Sequence, residues 1–146
     1  MEMWELVARE EVRNTIAGYN HAGDRGRLAD LAATFTEDGV LHLEGREPAE
    51  GREAIVRFLS GVVAEGSRTD DRGERKIVRH FVANVAFEHT SPTEIRTAAY
   101  FVVFNAHGPD HWGRYRDRHV PGDGRWLIAH RYVRVDAIAE GSNFAG

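Results

Sequence analysis

The chain has 146 residues, of which 42% are hydrophobic and 29% charged, a composition typical of one soluble globular domain. It has no cysteine, which excludes disulfide bonds, thiolate nucleophiles and cysteine-ligated zinc. The formal net charge is −4 with acidic and basic residues intermixed, so we expect no binding to nucleic acid. The first residues lack the features of a signal peptide, and no apolar run is long enough to span a membrane. We therefore expect a soluble cytoplasmic protein that does not bind a membrane.

Two helices are predicted at the start of the chain. Apolar residues recur at steps of three and four over residues 4–22, and Gly23 follows as a residue that often ends helices. The same spacing recurs from Leu28 to Phe35 and predicts a second helix directly after the first. Asp24 precedes this second helix, at a place where an aspartate commonly caps the free backbone N–H groups.

A turn, a short strand and a third helix are predicted next. Residues 36–39, TEDG, have the composition of a turn, and the alternating VLHLEG after them predicts a strand or hairpin arm. The third helix lies within residues 46–63, where apolar side chains fall on one helical face. Residues 64–76 are polar and contain glycine, which predicts a loop that can gate the entry to a binding site.

From residue 77 onward the hydrophobic pattern changes from the helical period to the alternation of strands. Turn sequences separate four predicted strands, at residues 77–89, 94–106, 111–120 and 125–136. Residues 137–146 are predicted to be a loose tail. This order predicts one α+β domain over residues 1–146, in which helices pack on a strongly curved, mostly antiparallel sheet and form a cone with an interior pocket.

The predicted strand IRTAAYFVVFNAH is apolar on both faces at its middle, which is typical of a central strand covered on both sides. Helices, a partner subunit or both can provide the second cover. We therefore expect a homo-oligomer through the outer face of the sheet, most simply a two-fold dimer. Tyr100 on this strand is a candidate for the wall of the pocket.

Four stretches resemble the SnoaL-like branch of the nuclear-transport-factor-2-like superfamily: YNHAGDRGRLADLAATFTEDGVL, GREAIVRFL, RHFVANVAF and GRYRDRHVPGDGRWLIAHRYV. They cover nearly the whole chain in the family's order. The resemblance implies the cone-shaped α+β fold. It leaves the activity open, because the superfamily includes dehydratases, isomerases, cyclases, dehydrochlorinases, epoxide hydrolases and proteins that only bind.

The resemblance to members of the scytalone dehydratase and hexachlorocyclohexane dehydrochlorinase types implies a catalytic pair, Asp24 and His80. In those members an aspartate at the corner between the first two helices pairs with a histidine at the start of the strand after the third helix. An imidazole, with a pKa of about 6.5, can take a proton near neutral pH, and a carboxylate on its other nitrogen fixes the tautomer and stabilises the imidazolium. The alternatives are a helix-capping Asp24 and a structural His80 at a strand end.

Three further residues are candidate substrate contacts. Tyr19 lies one helical turn before Asp24 on the apolar stripe, and its alternative role is that of a core tyrosine. Tyr115 and Arg131 match the family's patterns GrY-D and W-I--R in the last two strands. The alternative for Arg131 is an ion pair with Asp117 across the adjacent strands.

The chain also departs from the dehydratase pattern. Gly23 stands where the dehydratase has a tyrosine that helps to activate water, and the strand TAAYFVVF holds no match for that enzyme's second histidine. Activation of the substrate must therefore differ. The eight histidines show no metal-binding spacing such as HExxH, so neither a metal nor another cofactor is predicted.

The resemblance, together with the chemistry of these residues, implies a cofactor-independent lyase or isomerase, similar to the polyketide cyclases, that acts on a small hydrophobic or polycyclic molecule with His80 as general base. One alternative is a non-catalytic protein that binds a small ligand in the same hollow. Another is an accessory subunit resembling the small subunit of ring-hydroxylating dioxygenases.

Overall fold

The computed structural model of the protein describes residues 1–66, 76–142 and 144. Its elements, in chain order, are α1 (Met3–Asp24), α2 (Leu28–Ala32), β1 (Phe35–Leu43), β2 (Ala49–Glu50), α3 (Arg52–Gly66), β3 (Arg79–Thr90), β4 (Ile95–Asn105), β5 (Gly108–Gly122) and β6 (Arg125–Ile138). The α+β class predicted from the sequence is confirmed.

The six strands form one curled, unclosed sheet in the order β2-β1-β6-β5-β4-β3. Strands β3 to β6 follow one another as antiparallel neighbours, because short turns join them. Strand β1 lies parallel to β6 and antiparallel to β2. The predicted curved and mostly antiparallel sheet is therefore confirmed.

The core lies between the helices and the concave face of the sheet. Val12 of α1, Ile55 of α3 and Ile128 of β6 are all 0% exposed. Each such side chain contributes roughly 1.5–3 kcal/mol of hydrophobic stabilisation. Within the described ranges, no helix combines the length and the apolar character needed to cross a membrane.

The second helix is shorter than predicted, and the turn predicted at residues 36–39 is wrong. Helix α2 ends at Ala32, and Phe35 begins a strand that runs through TEDG to Leu43. Its pairing with β6 shifts register between Phe35 and Val40, so the turn-forming residues occupy an irregular part of the strand. Pairing of the flanking residues Phe35 and Val40 with β6 keeps this segment within the strand.

Within the loose tail predicted for residues 137–146, the described residues 137–142 and Phe144 contact the sheet. Strand β6 extends to Ile138, and the backbone N–H of Ala139 donates to the carbonyl of Asp110 at 2.7 Å. The Ser142 hydroxyl donates to the Asp110 carboxylate at 2.8 Å, and the Phe144 ring stacks on His111. Polar and aromatic contacts thus tie this segment to β5.

The loop predicted at residues 64–76 falls largely outside the described residues, because α3 includes residues 64–66 and residues 67–75 are not described. Its gating role stays a prediction.

Candidate active site

Asp24 and His80 are in contact at the junction of α1 and β3. The His80 backbone N–H donates to Asp24 Oδ2 at 2.9 Å, and the ring Nδ1 lies 2.5 Å from Asp24 Oδ1. Asp24 is the last residue of α1, and Arg27 occupies the N-cap position of α2, so Asp24 is not the cap of the second helix. Because a carboxylate only accepts, Nδ1 carries the ring proton, and Nε2 keeps a lone pair when the ring is neutral.

Asp24 is held in its ionised form. Burial by itself would raise the pKa of Asp24, but the hydrogen bonds from the ring and backbone of His80 and the charges of His80 and Arg79 outweigh it and lower that pKa. The Asp24 side chain is 11% exposed and the His80 side chain 25% exposed. The pair is therefore largely sheltered from solvent, with His80 the more exposed of the two.

A backbone irregularity in β3 places His80 on the concave side of the sheet. The pairing of β3 with β4 shifts register between Ala83 and Ala86, and Asn84 in this segment has a φ of 55°. Asparagine tolerates this left-handed conformation better than most residues. In this segment β3 has one residue more than β4, which reverses the alternation of its side chains. Val82 and Val85 therefore both pack against the core, and the apolar side of the strand faces inward before and after the irregularity.

A second histidine, His111, shares this side of the sheet. His80 of β3 lies opposite Val103 of β4, and Val103 lies opposite His111 of β5. Directly opposed residues of adjacent strands point to the same face, so the two imidazoles flank Val103 with Cα atoms roughly 10 Å apart. The sequence signal for His111 was its even spacing from Tyr115, which puts both on one face of the strand.

His111 has a carboxylate partner of its own. Its ring Nδ1 lies 2.7 Å from Asp110 Oδ2. Burial lowers the pKa of His111, Asp110 opposes this shift, and the charge of a protonated His80 lowers the pKa further.

Three of the candidate substrate contacts, Tyr19, Tyr115 and Arg131, lie together deeper in the cone. The Arg131 guanidinium carbon lies 4.2 Å from the centroid of the Tyr19 ring and 3.8 Å from that of the Tyr115 ring. Arg131 donates two hydrogen bonds to Asp117, at 2.8 and 2.7 Å, so the ion pair considered from the sequence is present. Its Nη1 is buried and has no hydrogen-bond partner among the residues that the structure describes.

The two tyrosines keep their hydroxyl protons. Burial raises the pKa of Tyr19 and of Tyr115, more strongly than the Arg131 charge lowers them. The Asp24 charge also raises the pKa of Tyr115, which connects the Asp24–His80 pair electrostatically with the buried cluster. The Tyr115 hydroxyl donates a long hydrogen bond, 3.4 Å, to Asn20 Oδ1. Both hydroxyl groups are therefore neutral donors at physiological pH.

Tyr100 does not face the concave side, which corrects its prediction as a pocket residue. It is 55% exposed and lies between Ala83 and Arg114 on the outer face of the sheet. Its neighbours Ala99 and Phe101, 3% and 4% exposed, take the inward positions of β4. Both faces of β4 are apolar in sequence, so the pattern alone could not say which face is inside.

The interior pocket predicted from the sequence stays a prediction. The middle of the concave side is filled by aromatic rings: Phe101 stacks on Tyr115 at 4.6 Å, and Tyr19 lies 6.0 Å from Phe35. Two surface grooves in the described part of the chain, of about 430 and 340 Å³, are lined by other residues. The Asp24–His80 pair lies beyond the filled region, at the end of the sheet where β3 begins.

Among the residues that the structure describes, no three histidine or carboxylate side chains gather as ligands for a metal ion.

The chain matches a family model and several solved structures. A family model described as SnoaL-like domain matches residues 4–132. A structure from Catenulispora acidiphila in complex with S-DNPA is 34% identical, with a TM-score of 0.76 over 90% of this chain and 95% of that chain. ActVI-ORFA from Streptomyces coelicolor is 26% identical, with a TM-score of 0.72 over 88% and 96% of the two chains.

A putative scytalone dehydratase from Novosphingobium aromaticivorans is 22% identical and has the same fold, with a TM-score of 0.76 over 92% of this chain and 88% of that chain. A search of the curated proteins found no match.

Proposed function

The chain belongs to the SnoaL-like domain family of the nuclear-transport-factor-2-like superfamily, and we propose that it is a cofactor-independent lyase or isomerase acting on a small hydrophobic or polycyclic molecule. The observation that carries this proposal is the contact between the Asp24 carboxylate and Nδ1 of His80. It leaves Nε2 as a proton acceptor in a sheltered place.

In the proposed reaction, Nε2 of His80 takes a proton from a carbon next to a carbonyl group of the substrate. The electron pair of the broken C–H bond forms an enolate, and the ring becomes an imidazolium that Asp24 stabilises. The enolate then either expels a leaving group from the β-carbon, which gives a new double bond, or takes the proton back at another carbon. The first outcome is a lyase reaction and the second an isomerase reaction.

The buried cluster of Tyr19, Tyr115 and Arg131 is proposed to bind the carbonyl group of the substrate. Tyr19 and Tyr115 carry neutral hydroxyl groups, which can donate to an oxygen whose negative charge grows in the transition state. Arg131 contacts both rings and is fixed by Asp117, so it holds the tyrosines in place. Its Nη1, buried and without a hydrogen-bond partner among the described residues, is a further N–H group of this cluster.

Family membership supports the class of chemistry, and the complex of the Catenulispora acidiphila relative with S-DNPA supports a bound ligand. The alternatives of a binding protein and of an accessory subunit differ from this proposal in one measurable respect, which is proton transfer by His80.

The test uses 5-nitrobenzisoxazole, whose ring opens once a base removes a carbon-bound proton. We expect the wild type to open it and His80→Gln to lose about 10²–10⁴-fold of that rate. His107→Gln, which replaces an exposed histidine of the β4–β5 turn, is the matched control and keeps the wild-type rate. A wild-type rate no higher than that of His80→Gln rejects His80 as the base.

We also propose that a second copy of the chain covers the outer face of the sheet. Phe81, Tyr100 and Trp112 form an outer patch there and are 58%, 55% and 40% exposed. Next to this patch Arg114 pairs with Asp136 at 3.1 Å. A face that carries apolar groups and both signs of charge is self-complementary under a two-fold axis.

A further inference from the structure

The proposed Asp24–His80 chemistry does not use His111. This histidine lies on the concave side with its side chain 13% exposed, two strands away from His80 in the same row of the sheet. Val103, between them, is 5% exposed and belongs to the buried apolar core. A flat molecule bound between the two side chains would meet an imidazole at each end.

The hydrogen bonds around His111 leave one atom for a ligand. Nδ1 is bound to Asp110, whose carboxylate also accepts from Asn105 at 3.1 Å and from Ser142 at 2.8 Å. Among the described residues, none makes a hydrogen bond to Nε2. Because Asp110 is bound from three sides, it holds the proton of the His111 ring on Nδ1 and leaves a lone pair on Nε2.

The plane of the ring is also fixed. Phe144 stacks on it, with centroids 3.9 Å apart and an interplanar angle of 12°. Phe101 meets it edge to face at 6.4 Å. An acceptor whose direction is fixed before binding loses little conformational entropy when a ligand arrives.

We propose that Nε2 of His111 accepts a hydrogen bond from a substrate hydroxyl, so that the site selects enolic or phenolic molecules whose hydroxyl lies across the ring system from the proton that His80 removes. This assignment rests on the proposed function, because His80 defines the reacting side. Burial, which lowers the pKa of His111, keeps the ring in the neutral form that such an acceptor requires. A site built to bind a hydroxyl discriminates against an analogue that lacks it, since the buried acceptor then stays unpaired.

The test compares two aromatic probes, 1-naphthol and 1-methoxynaphthalene, of which only the first can donate a hydrogen bond. We expect the full-length wild type to bind 1-naphthol at least about 10-fold more tightly in calorimetric titration. His111→Phe keeps an aromatic ring without the acceptor and should bind both probes equally. His80→Gln should keep the preference.

Equal affinities in the wild type, no binding of either probe, or a preference that survives His111→Phe would each overturn the assignment. So would a preference that disappears only in His80→Gln, because His80 would then be the acceptor. These outcomes are independent of 5-nitrobenzisoxazole opening, which needs a base and no hydroxyl contact. Failure of this assignment and failure of the proposed function are therefore distinguishable.

A second variant, Asp110→Asn, tests the proposal independently of whether His111→Phe folds. In Asp110→Asn the amide can donate to Nδ1, which places the ring proton on Nε2 and turns the acceptor into a donor. We expect the naphthol preference to fall although both rings remain. Nitrogen chemical shifts of His111 at neutral pH provide the check without a ligand, and a wild-type Nε2 that carries a proton contradicts the proposal.

The last test is the pH dependence of the preference for 1-naphthol over 1-methoxynaphthalene. Among the described residues, Asp110 on β5 and His80 on β3 are the ionisable groups that shift the pKa of His111. Protonation of His111 removes its lone pair, so the naphthol preference should decline as the pH falls below the range in which the ring is neutral. A preference that is independent of pH as His111 becomes protonated would contradict the role of Nε2.

Discussion

The carboxylate of Asp24 accepts two hydrogen bonds from one residue, His80, one from its backbone N–H and one from its ring. The two residues are 56 positions apart in the chain. The backbone bond joins the end of α1 to the start of β3, and the ring bond sets the tautomer. A single carboxylate therefore positions the imidazole and prepares it as a base.

Asp24→Asn should lower the rate of 5-nitrobenzisoxazole opening by about 10²-fold or more, because an amide cannot stabilise the imidazolium. It should also lower the free energy of unfolding by about 1–3 kcal/mol through loss of charge-assisted hydrogen bonds. Since the pKa of Asp24 is lowered by folding, its stabilising contribution is present above the ordinary aspartate pKa and is lost as the pH falls. Asp30→Asn, at an exposed position of α2, serves as the control in both the rate assay and urea unfolding.

Arg131→Met should lower the free energy of unfolding by about 3–5 kcal/mol, because it leaves the carboxylate of Asp117 buried without a partner. Arg134→Met, on the same strand but 53% exposed, should change it by less than about 0.5 kcal/mol. Urea denaturation followed by circular dichroism measures both. Equal changes in the free energy of unfolding would mean that the Arg131–Asp117 pair stabilises the fold no more than the exposed Arg134 does.

His119 should make stability depend on pH. Burial lowers its pKa to about 4, although Asp117 opposes the shift, whereas the unfolded chain has a value of about 6.5. The unfolded state thus binds more protons between these values, and stability falls by about 2 kcal/mol from pH 7 to pH 5 for this group. The glutamine of His119→Gln can keep a hydrogen bond to Thr97. In this variant the decrease in stability from pH 7 to pH 5 should be about 2 kcal/mol smaller than in the wild type.

The control for the pH experiment is His107→Gln, an exposed position, in which the drop from pH 7 to pH 5 should equal that of the wild type. Comparing the two pH values within each variant removes any packing cost of the substitution. An unchanged drop in His119→Gln would show that His119 is not the group that titrates.

Tyr100→Asp should convert the proposed dimer into a monomer, because it buries an unpaired charge in the outer patch. Leu6→Asp replaces a side chain of similar exposure, 50%, on α1 and should leave the dimer intact. Size-exclusion chromatography with light scattering at micromolar concentration measures both masses. A wild type that elutes as a monomer contradicts the interface.

The sequence determined much of this protein by local pattern. Helical spacing located α1 and α3, alternation located the last four strands, and the switch between the two periods indicated the α+β class. Resemblance to the family singled out Asp24 and His80. The predictions of helices and strands succeed because hydrophobic periodicity records which side of an element is buried.

Only the tertiary structure decided how the sides of these elements meet. It put Phe35 in a strand rather than a helix, since pairing with β6 outweighs local preference. It turned Tyr100 outward on a strand that is apolar on both faces, and it brought Ser142 to Asp110 and Phe144 to His111. It also aligned His111 with His80, because register between strands depends on long-range pairing that no local window of sequence contains.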